Sequence, residues 1–299
     1  MKIMLSGACG PIFQSYLNYI NNLNIDVLGI DIRENQFTKN LLGNNFLLSP
    51  SAEKTPNQYI NFLEDNINKF DLFFPYSDEE LITLSEIPKN SSLRKKVIVS
   101  SRKSIEICNN KRIFHDFALV NSIPVPLDSQ SKEKIIKPIV GRGGRNIFRV
   151  KDEKMIHPFR SSNEWIVSDY IDGDEYSVDT VSDENGKVID SIARLRIVSK
   201  GVSIESKIHM NSKVIEMAEL IVSKLSIFGP ANVQIIEEKE TKNLYVIEVN
   251  PRLSGGAIFS ALGGMDMIKL TVDYLNNKNI DISIKNDGEY YFRYWCNST

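Results

Sequence analysis

The sequence predicts an α/β part followed by an antiparallel α+β part. Over the first hundred residues, short β-branched runs such as KIMLS, IDVLGID and DLFFPYS alternate with helical patterns such as NQYINFLEDNINKF. Strands separated by helices favour a parallel sheet built from βαβ units. Later segments are strand-rich, and the turns DENGK and EKETKN lie between apolar runs, as hairpin connections do. We therefore expect a Rossmann-like domain over residues 1–100 and an α+β domain over 101–299.

Three helices are expected in the second part. The stretch from Arg102 to Asn121 has a helical pattern and is followed by the punctuating segment SIPVPLDSQ. The segments SKVIEMAELIVSKL and MDMIKLTVDYL have apolar residues at helical spacing. The remaining runs are expected to form the strands of the α+β domain.

Composition excludes several classes of protein. The 299 residues are 42% hydrophobic and 25% charged, which is typical of a globular chain with sizeable cores. The 36 basic residues nearly cancel the 38 acidic ones, so no overall field would attract nucleic acid or an anionic membrane. No apolar run approaches the roughly 18 residues of a membrane span, and the opening lacks the apolar length of a signal peptide.

Cysteines and histidines suggest no metal or disulfide framework. The chain has three cysteines, Cys9, Cys108 and Cys296, which are widely separated and form no CxxC pair. This pattern predicts a reducing, cytoplasmic location. The three histidines occur singly without a neighbour that would orient a base, so none is expected to be catalytic: His115, His157 and His209.

The loop after the first strand, Gly7 to Pro11, raises a competing interpretation. A glycine loop between strand and helix, with Asp31 about twenty residues later, is the layout of a dinucleotide site. The spacing does not match GxGxxG, because Cys9 stands in place of the second glycine. The loop is either a tight strand-to-helix turn or a substrate-facing loop, and an NAD-dependent oxidoreductase stays an alternative function.

The strongest chemical pattern is the strand pair ANVQIIEEKETKNLYVIEVNPR. Gln234 lies on the first strand of the pair. Near the end of the second strand, every second residue is polar: Glu248, Asn250 and Arg252. Period-two alternation points these three side chains to one face. A carboxylate and two amide oxygens suit Mg²⁺, and an arginine can hold a phosphoryl group with two hydrogen bonds. A solvated strand face also alternates in this way, but it seldom runs into a glycine turn such as SGGA.

Two further segments suggest nucleotide contacts. In KPIVGRGGRNIFRV, Lys137 closes a strand, and a loop with Gly143 and Gly144 follows whose amides could face phosphate oxygens. In EWIVSDYIDGDEYSVD, an apolar strand end precedes Glu175, which could accept from ribose hydroxyls. Ordinary hairpins would produce either pattern, so both alternatives remain open.

Taken in order, these residues resemble the ATP-grasp superfamily: Lys111, Lys137, Glu175, Gln234, Glu248, Asn250 and Arg252. The likeness is to the half-domains of the carbamoyl-phosphate synthetase large subunit and to similar single-chain carboxylate–amine ligases. It covers nearly the whole chain, and ANVQ with VIEVNPRLSGGA is its most specific part. The resemblance implies a pre-ATP-grasp domain at 1–100 and an ATP-grasp domain at 101–299, with a small lid subdomain at about 112–170.

The resemblance also implies a reaction and its contacts. Such ligases use Mg-ATP to activate a carboxylate as an acyl phosphate, which an amine or similar nucleophile attacks. The implied cofactors are ATP with Mg²⁺ or Mn²⁺. The implied contacts are Lys111, Lys137, Gly143 and Gly144 with phosphates, Ser168, Tyr170 and Ile171 with adenine, Glu175 with ribose, Gln234, Glu248 and Asn250 with the metal, and Arg252 with the γ-phosphate or acyl phosphate. Ser168 departs from the acid that many relatives carry there.

The substrate contacts are less defined. The loop at Gly7 to Pro11, the Ser77 to Glu80 loop and the segment RLRIVSKGVS are expected to form the walls of the pocket. The basic residues of this segment could hold a carboxylate or could be solvated strand residues: Arg194, Arg196 and Lys200. The groups expected to be catalytic are Arg252, Lys137 and Arg194. The expected partners are a small carboxylate and a small amine, with no nucleic acid and no membrane, and a homodimer is allowed. A nucleotide-binding module without ligase activity is the second alternative function.

Overall fold

The structure is a computed structural model that describes residues 1–20, 25–129, 131–141, 144–280, 282 and 284–294. The predicted phosphate contact Gly143 and the side chain of Lys200 lie outside the described residues. No helix in these ranges is both long enough and apolar enough to cross a bilayer.

The N-terminal part contains a parallel sheet. Its described strands pair in the order β3-β2-β1-β4: β1 Lys2–Ser6, β2 Asp26–Asp31, β3 Phe46–Leu48 and β4 Leu72–Phe74. The helices of this part are α1 Pro11–Ile20, α2 Gln36–Leu42, α3 Pro56–Asp65 and α4 Asp78–Ser85. A parallel pairing needs crossover connections, and α1, α2 and α3 lie in them. Helix α4 begins with a capping box in which Ser77 and Glu80 bond each other's backbone amides, and this fixes the chain that enters the site.

The predicted helix from Arg102 to Asn121 is interrupted. The structure divides it into α5, Arg102–Asn109, and α6, Lys111–Val120. Asn110 between them has an extended backbone, and its side-chain oxygen accepts from the amides of Arg112 and Ile113 at 3.0 and 3.1 Å. Asparagine is a favoured N-cap because it satisfies amides that lack helical partners. The interruption makes Lys111 the first residue of α6.

A small antiparallel sheet follows. Its described strands pair in the order β6-β5-β7: β5 Lys134–Pro138, β6 Phe148–Val150 and β7 Trp165–Asp169. Helix α7, Glu153–Arg160, packs on it through Ile156, which contacts Ile136 and Val167 in a core of its own. Helix α6 instead contributes Phe114 and Ala118 to the large core. The range 112–170 therefore combines a helix of the main body with the small sheet.

The largest sheet is antiparallel. Its described strands pair in the order β12-β11-β8-β9-β10-β13: β8 Gly173–Ser182, β9 Val188–Lys200, β10 Val202–Ile208, β11 Gly229–Glu238, β12 Leu244–Asn250 and β13 Tyr290–Phe292. The predicted turns DENGK and EKETKN connect β8 to β9 and β11 to β12, as expected. Helices α8 Ser212–Lys224 and α10 Met267–Leu275 confirm the two helical patterns, and α9 Ala257–Leu262 follows the SGG turn.

Candidate active site

The strand pair β11–β12 brings the predicted metal ligands together. Gln234 lies directly opposite Glu248 in the antiparallel register. The register shifts after this pair, because Ile235 lies opposite Val246 and Ile247 is an extra residue on β12. A bulge of this kind re-aims the residues beside it. Strict alternation along β12 is therefore interrupted at Ile247, while Glu248 remains beside Gln234.

The end of β12 lines a cleft, which Glu248, Val249 and Asn250 all contact. The polar cleft, as it is called below, is lined by residues from four elements and loops, among them Asp78, Cys108, Lys111, Gly141, Glu248 and Asn250. The Nζ of Lys111 donates to the carbonyl oxygen of Gly141 at 2.9 Å, and its backbone amide donates to Ile139 at 3.0 Å. These bonds attach the start of α6 to the loop that follows β5. The cleft is therefore assembled from segments far apart in the chain.

Lys137 lies on β5 beside this cleft with its side chain almost fully buried. Burial, and secondly the charge of Lys111, lower the pKa of Lys137 to about 8, while Glu248 opposes the shift. The pKa of His115 is lowered to about 4, first by burial and then by Lys137, so this histidine is neutral at pH 7. Two lysines that repel each other favour the binding of an anion, because the anion's charge removes the repulsion. The arrangement suits a phosphate chain.

Arg252 follows β12 and joins the site to the N-terminal part. Its Nη2 donates to Oδ1 of Asn250 at 3.2 Å, and its Nε donates to Oδ1 of Asp78 at 2.7 Å. The guanidinium also lies over the ring of Tyr76, 5.7 Å from its centroid. Burial by itself would lower the pKa of Arg252, but the charge of Asp78 and its hydrogen bond outweigh burial and raise it. Asp78 was expected in the pocket wall, but nothing in the sequence pointed to its bond with Arg252.

Arg194, expected to hold a substrate carboxylate, lies instead in a buried network of the large sheet. It is 0% exposed, and its Nη2 donates to Oδ2 of Asp179 at 2.7 Å. Asn232 donates to the other oxygen of Asp179, also at 2.7 Å. A side chain at Gly256 would place its Cβ 2.4 Å from Nη1 of Arg194, so this glycine leaves room for the guanidinium. The carboxylate that Arg194 holds belongs to the chain itself.

The predicted adenine and ribose contacts do not line the polar cleft as described. Ser168 is buried within β7, and the guanidinium of Arg149 stacks 3.6 Å from the ring centroid of Tyr170. The carboxylate of Glu175 accepts a hydrogen bond from Arg196. Ile171 is half-buried beyond the end of β7. These assignments stay predictions.

The N-terminal loop uses its acidic residue internally. Oδ2 of Asp31 accepts from the backbone amide of Cys9 at 3.0 Å, and Oδ1 accepts from Arg33 at 3.0 Å. Gly7 has φ +74°, which glycine adopts without strain. The contacts of Asp31 favour the tight-turn interpretation over a dinucleotide site, in which this acid would bind a ribose.

Part of the chain matches a protein family, and most of it is similar in sequence to a known enzyme subunit. Residues 161–291 match the family described as ATP-grasp in the biosynthetic pathway with Ter operon. The carbamoyl phosphate synthase large chain of Clostridium acetobutylicum is 26% identical over 238 residues, which cover 72% of this chain and 21% of the synthase chain. The predicted resemblance to the ATP-grasp superfamily is confirmed. The chain thus spans about a fifth of the length of this relative.

Solved structures superpose on more than 90% of the chain. The L-amino acid ligase from Bacillus licheniformis superposes with a TM-score of 0.67 at 16% identity, covering 91% of this chain and 73% of the ligase. The N5-carboxyaminoimidazole synthetase from Staphylococcus aureus, complexed with ADP, has a TM-score of 0.71 at 14% identity and covers 95% of this chain and 79% of the synthetase. At such identities the likeness concerns the fold.

Proposed function

We propose that the chain is an ATP-dependent ligase that converts a carboxylate into an acyl phosphate and transfers the acyl group to an amine or a similar nucleophile. The observation that carries the proposal is the polar cleft, in which Lys111, Glu248 and Asn250 meet beside Lys137 and Arg252. Phosphoryl transfer asks a protein mainly for positioning and charge neutralisation, and these groups supply both. The similar ligases named above support the reaction class.

The donor set fits a hard divalent cation. Glu248 provides a carboxylate, and Gln234 and Asn250 provide amide oxygens, one of which also accepts from Arg252. Within the described ranges no group of three or more His, Cys, Asp or Glu side chains could hold a metal, so a single carboxylate would act with phosphate oxygens. These three residues would hold Mg²⁺ or Mn²⁺. When bound, the cation would neutralise charge on the terminal phosphates.

The chain's own residues would then act in sequence. Lys111 and Lys137 bind the phosphates of ATP, and Arg252 holds the γ-phosphoryl group beside the carboxylate. A carboxylate oxygen attacks the γ-phosphorus, the bond to the bridging oxygen breaks, and ADP leaves. The nucleophile attacks the acyl carbon, and phosphate leaves with the electron pair of the C–O bond. No covalent protein nucleophile is needed.

The finer assignments belong to the same proposal. Residues 1–100 would be the Rossmann-like pre-ATP-grasp domain, and residues 101–299 the ATP-grasp domain with its lid at about 112–170. The lid glycines, Gly143 and Gly144, would cover the phosphates. Ser168, Tyr170 and Ile171 would contact adenine. The carboxylate of Glu175 would accept hydrogen bonds from the ribose hydroxyls in place of the one it now accepts from Arg196. The proposed substrates are a small carboxylate and a small amine, and a homodimer remains part of the proposal.

A screen of acid and amine pairs tests the function. The protein is incubated with Mg-ATP and each pair, and ADP release is measured together with the mass of any product. We expect a pair that releases ADP and yields a product lighter than its components by one water. Glu248→Gln, which keeps the shape but removes the charge, should bind ATP less tightly in the presence of Mg²⁺ and lose turnover.

Two results would contradict the proposal. The first is the absence of any ATP-induced rise in melting temperature, which bound ligand otherwise causes. The second is full ATP-dependent turnover by Glu248→Gln.

A further inference from the structure

Arg252 lies in a short segment that belongs to neither a strand nor a helix. Residues 251–256, called the linking segment below, connect the end of β12 at Asn250 to the start of α9 at Ala257. Irregular backbone lacks the regular hydrogen-bond ladder of the elements that it connects, so its position depends on individual contacts. The contacts of the linking segment therefore decide where the guanidinium of Arg252 lies.

Ser254 ties the linking segment to the large sheet. Its side chain is buried, and its Oγ donates to Oδ2 of Asp179 at 3.2 Å and accepts from the backbone amide of Gly256 at 3.2 Å. The carbonyl oxygen of Gly255 also accepts from Nη2 of Arg293 at 3.0 Å. Arg293, however, follows β13 at the edge of the described sheet, whereas Asp179 lies on the interior strand β8. Ser254 thus provides the attachment to the centre of the sheet.

Asp179 is itself held firmly. It forms a fully buried ion pair with Arg194 of β9, with 2.7 Å between Oδ2 and Nη2. Its other oxygen accepts from Asn232 of β11 at 2.7 Å, and Asn232 lies directly opposite Asn250 in the register. Hydrogen bonds to a charged group are about twice as strong as neutral ones. One carboxylate therefore fixes both the linking segment and the strand beside the proposed metal ligand Asn250.

Ser260 makes the same kind of contacts from a different element. Its Oγ donates to Oδ2 of Asp179 at 2.5 Å and accepts from Nε of Arg194 at 2.8 Å. The Oγ of Ser254 likewise accepts from Nη2 of Arg194, at 3.3 Å. Both serines are buried, but Ser260 lies within α9, where helical hydrogen bonds hold the backbone. Removing either hydroxyl therefore disturbs the same ion pair, while only Ser254 attaches the linking segment.

We infer that Ser254 is a positioning residue for phosphoryl transfer, which holds Arg252 in place by fixing the linking segment to Asp179. Asp78 holds the guanidinium of Arg252 from the N-terminal part, and Ser254 holds the backbone two positions later in the chain. A guanidinium that is oriented in advance stabilises the transferring group without being ordered during the reaction. This inference rests on the proposed function, and it adds a residue that is absent from the described lining of the polar cleft.

Ser254→Ala and its matched control, Ser260→Ala, test the inference in the whole chain. Each variant loses one buried hydroxyl that bonds Asp179, so we expect similar, modest decreases in melting temperature. With an acid and amine pair that the parent converts, Ser254→Ala should lower kcat about fivefold or more and leave KM for ATP nearly unchanged. Ser260→Ala should keep the kcat of the parent. Equal kcat values in the two variants would overturn the inference, because a purely structural role affects both alike.

Hydrogen exchange at the Arg252 side chain provides a second measurement that does not depend on turnover. The Nε–H of Arg252 donates to Asp78, so its exchange, followed by NMR, reports how often the guanidinium leaves that contact. Ser254→Ala should accelerate this exchange about fivefold or more, and Ser260→Ala should not change it. Unchanged exchange in Ser254→Ala would reject the inference and leave the proposed function standing. A parent protein that converts no acid and amine pair would reject both.

Discussion

The Nε of Arg252 donates to Oδ1 of Asp78 over 2.7 Å, and the two residues are 174 positions apart in the sequence. Both side chains are largely buried, with 12% and 22% exposure. The bond joins the beginning of α4 to the end of β12, so the arginine proposed to hold the phosphoryl group is oriented by the N-terminal part. Asp78 acts through Arg252 and is a positioning residue.

Asp78→Asn should preserve the fold and lower turnover. The amide keeps the shape but removes the charge that holds Arg252, so kcat is expected to fall about tenfold or more while KM for ATP changes little. Steady-state kinetics and a melting curve measure both effects. Glu64→Gln, an exposed change on α3, serves as the control and should behave like the parent. Unchanged kcat in Asp78→Asn would show that Arg252 is held without it.

The affinity for ATP should decrease as pH rises above about 8. The pKa of Lys137 is lowered to about 8 in the free protein, and phosphate charge would raise it on binding. Below that pH the amine is already protonated and affinity should be flat. Above a pH of about 8, the amine of Lys137 must take up a proton when ATP binds. The affinity for ATP should then fall by up to about tenfold per pH unit. Lys137→Met should bind weakly and without this dependence; a flat profile in the parent would contradict the assignment.

Gly144→Val should impair ATP turnover without a matching loss of stability. Gly144 has φ +67° and nothing within 4 Å of an added Cβ, so the cost is one of backbone conformation, about 1 to 2 kcal/mol. Gly288 has φ +90° and is equally unobstructed. Gly288→Val should therefore lower the melting temperature similarly but leave turnover intact. Equal turnover in both variants would mean that the loop at Gly144 does not cover the phosphates.

Asp179→Asn should destabilise the fold by about 3 to 5 kcal/mol, because it leaves the buried charge of Arg194 without its partner. Both side chains are 0% exposed. The matched control is Glu34→Gln in the exposed pair with Lys39, which should cost less than about 1 kcal/mol. Urea unfolding measures the difference. A parent-like stability of Asp179→Asn would return Arg194 to the candidates for substrate binding.

The order of elements could be predicted because local patterns decide it. The apolar spacing of α8 and α10 and the polar turns beside β8 and β11 are properties of short segments. The interruption of the predicted helix at Asn110 was missed, because a continuous helix and a capped pair share the same periodicity. Only the extended backbone of Asn110 distinguishes them.

By itself, the sequence determined the family resemblance. It also placed Gln234, Glu248 and Asn250, the proposed metal ligands, on adjacent strands joined by a short turn. It could not determine which arginines pair with a carboxylate. Arg194 and Arg293 look alike in sequence, yet Arg194 meets Asp179 within the sheet, and Arg293 meets no carboxylate in the described part of the chain. That difference depends on contacts between segments far apart in sequence. Because the pairing of a buried charge depends on its spatial neighbours, only the tertiary structure decided it.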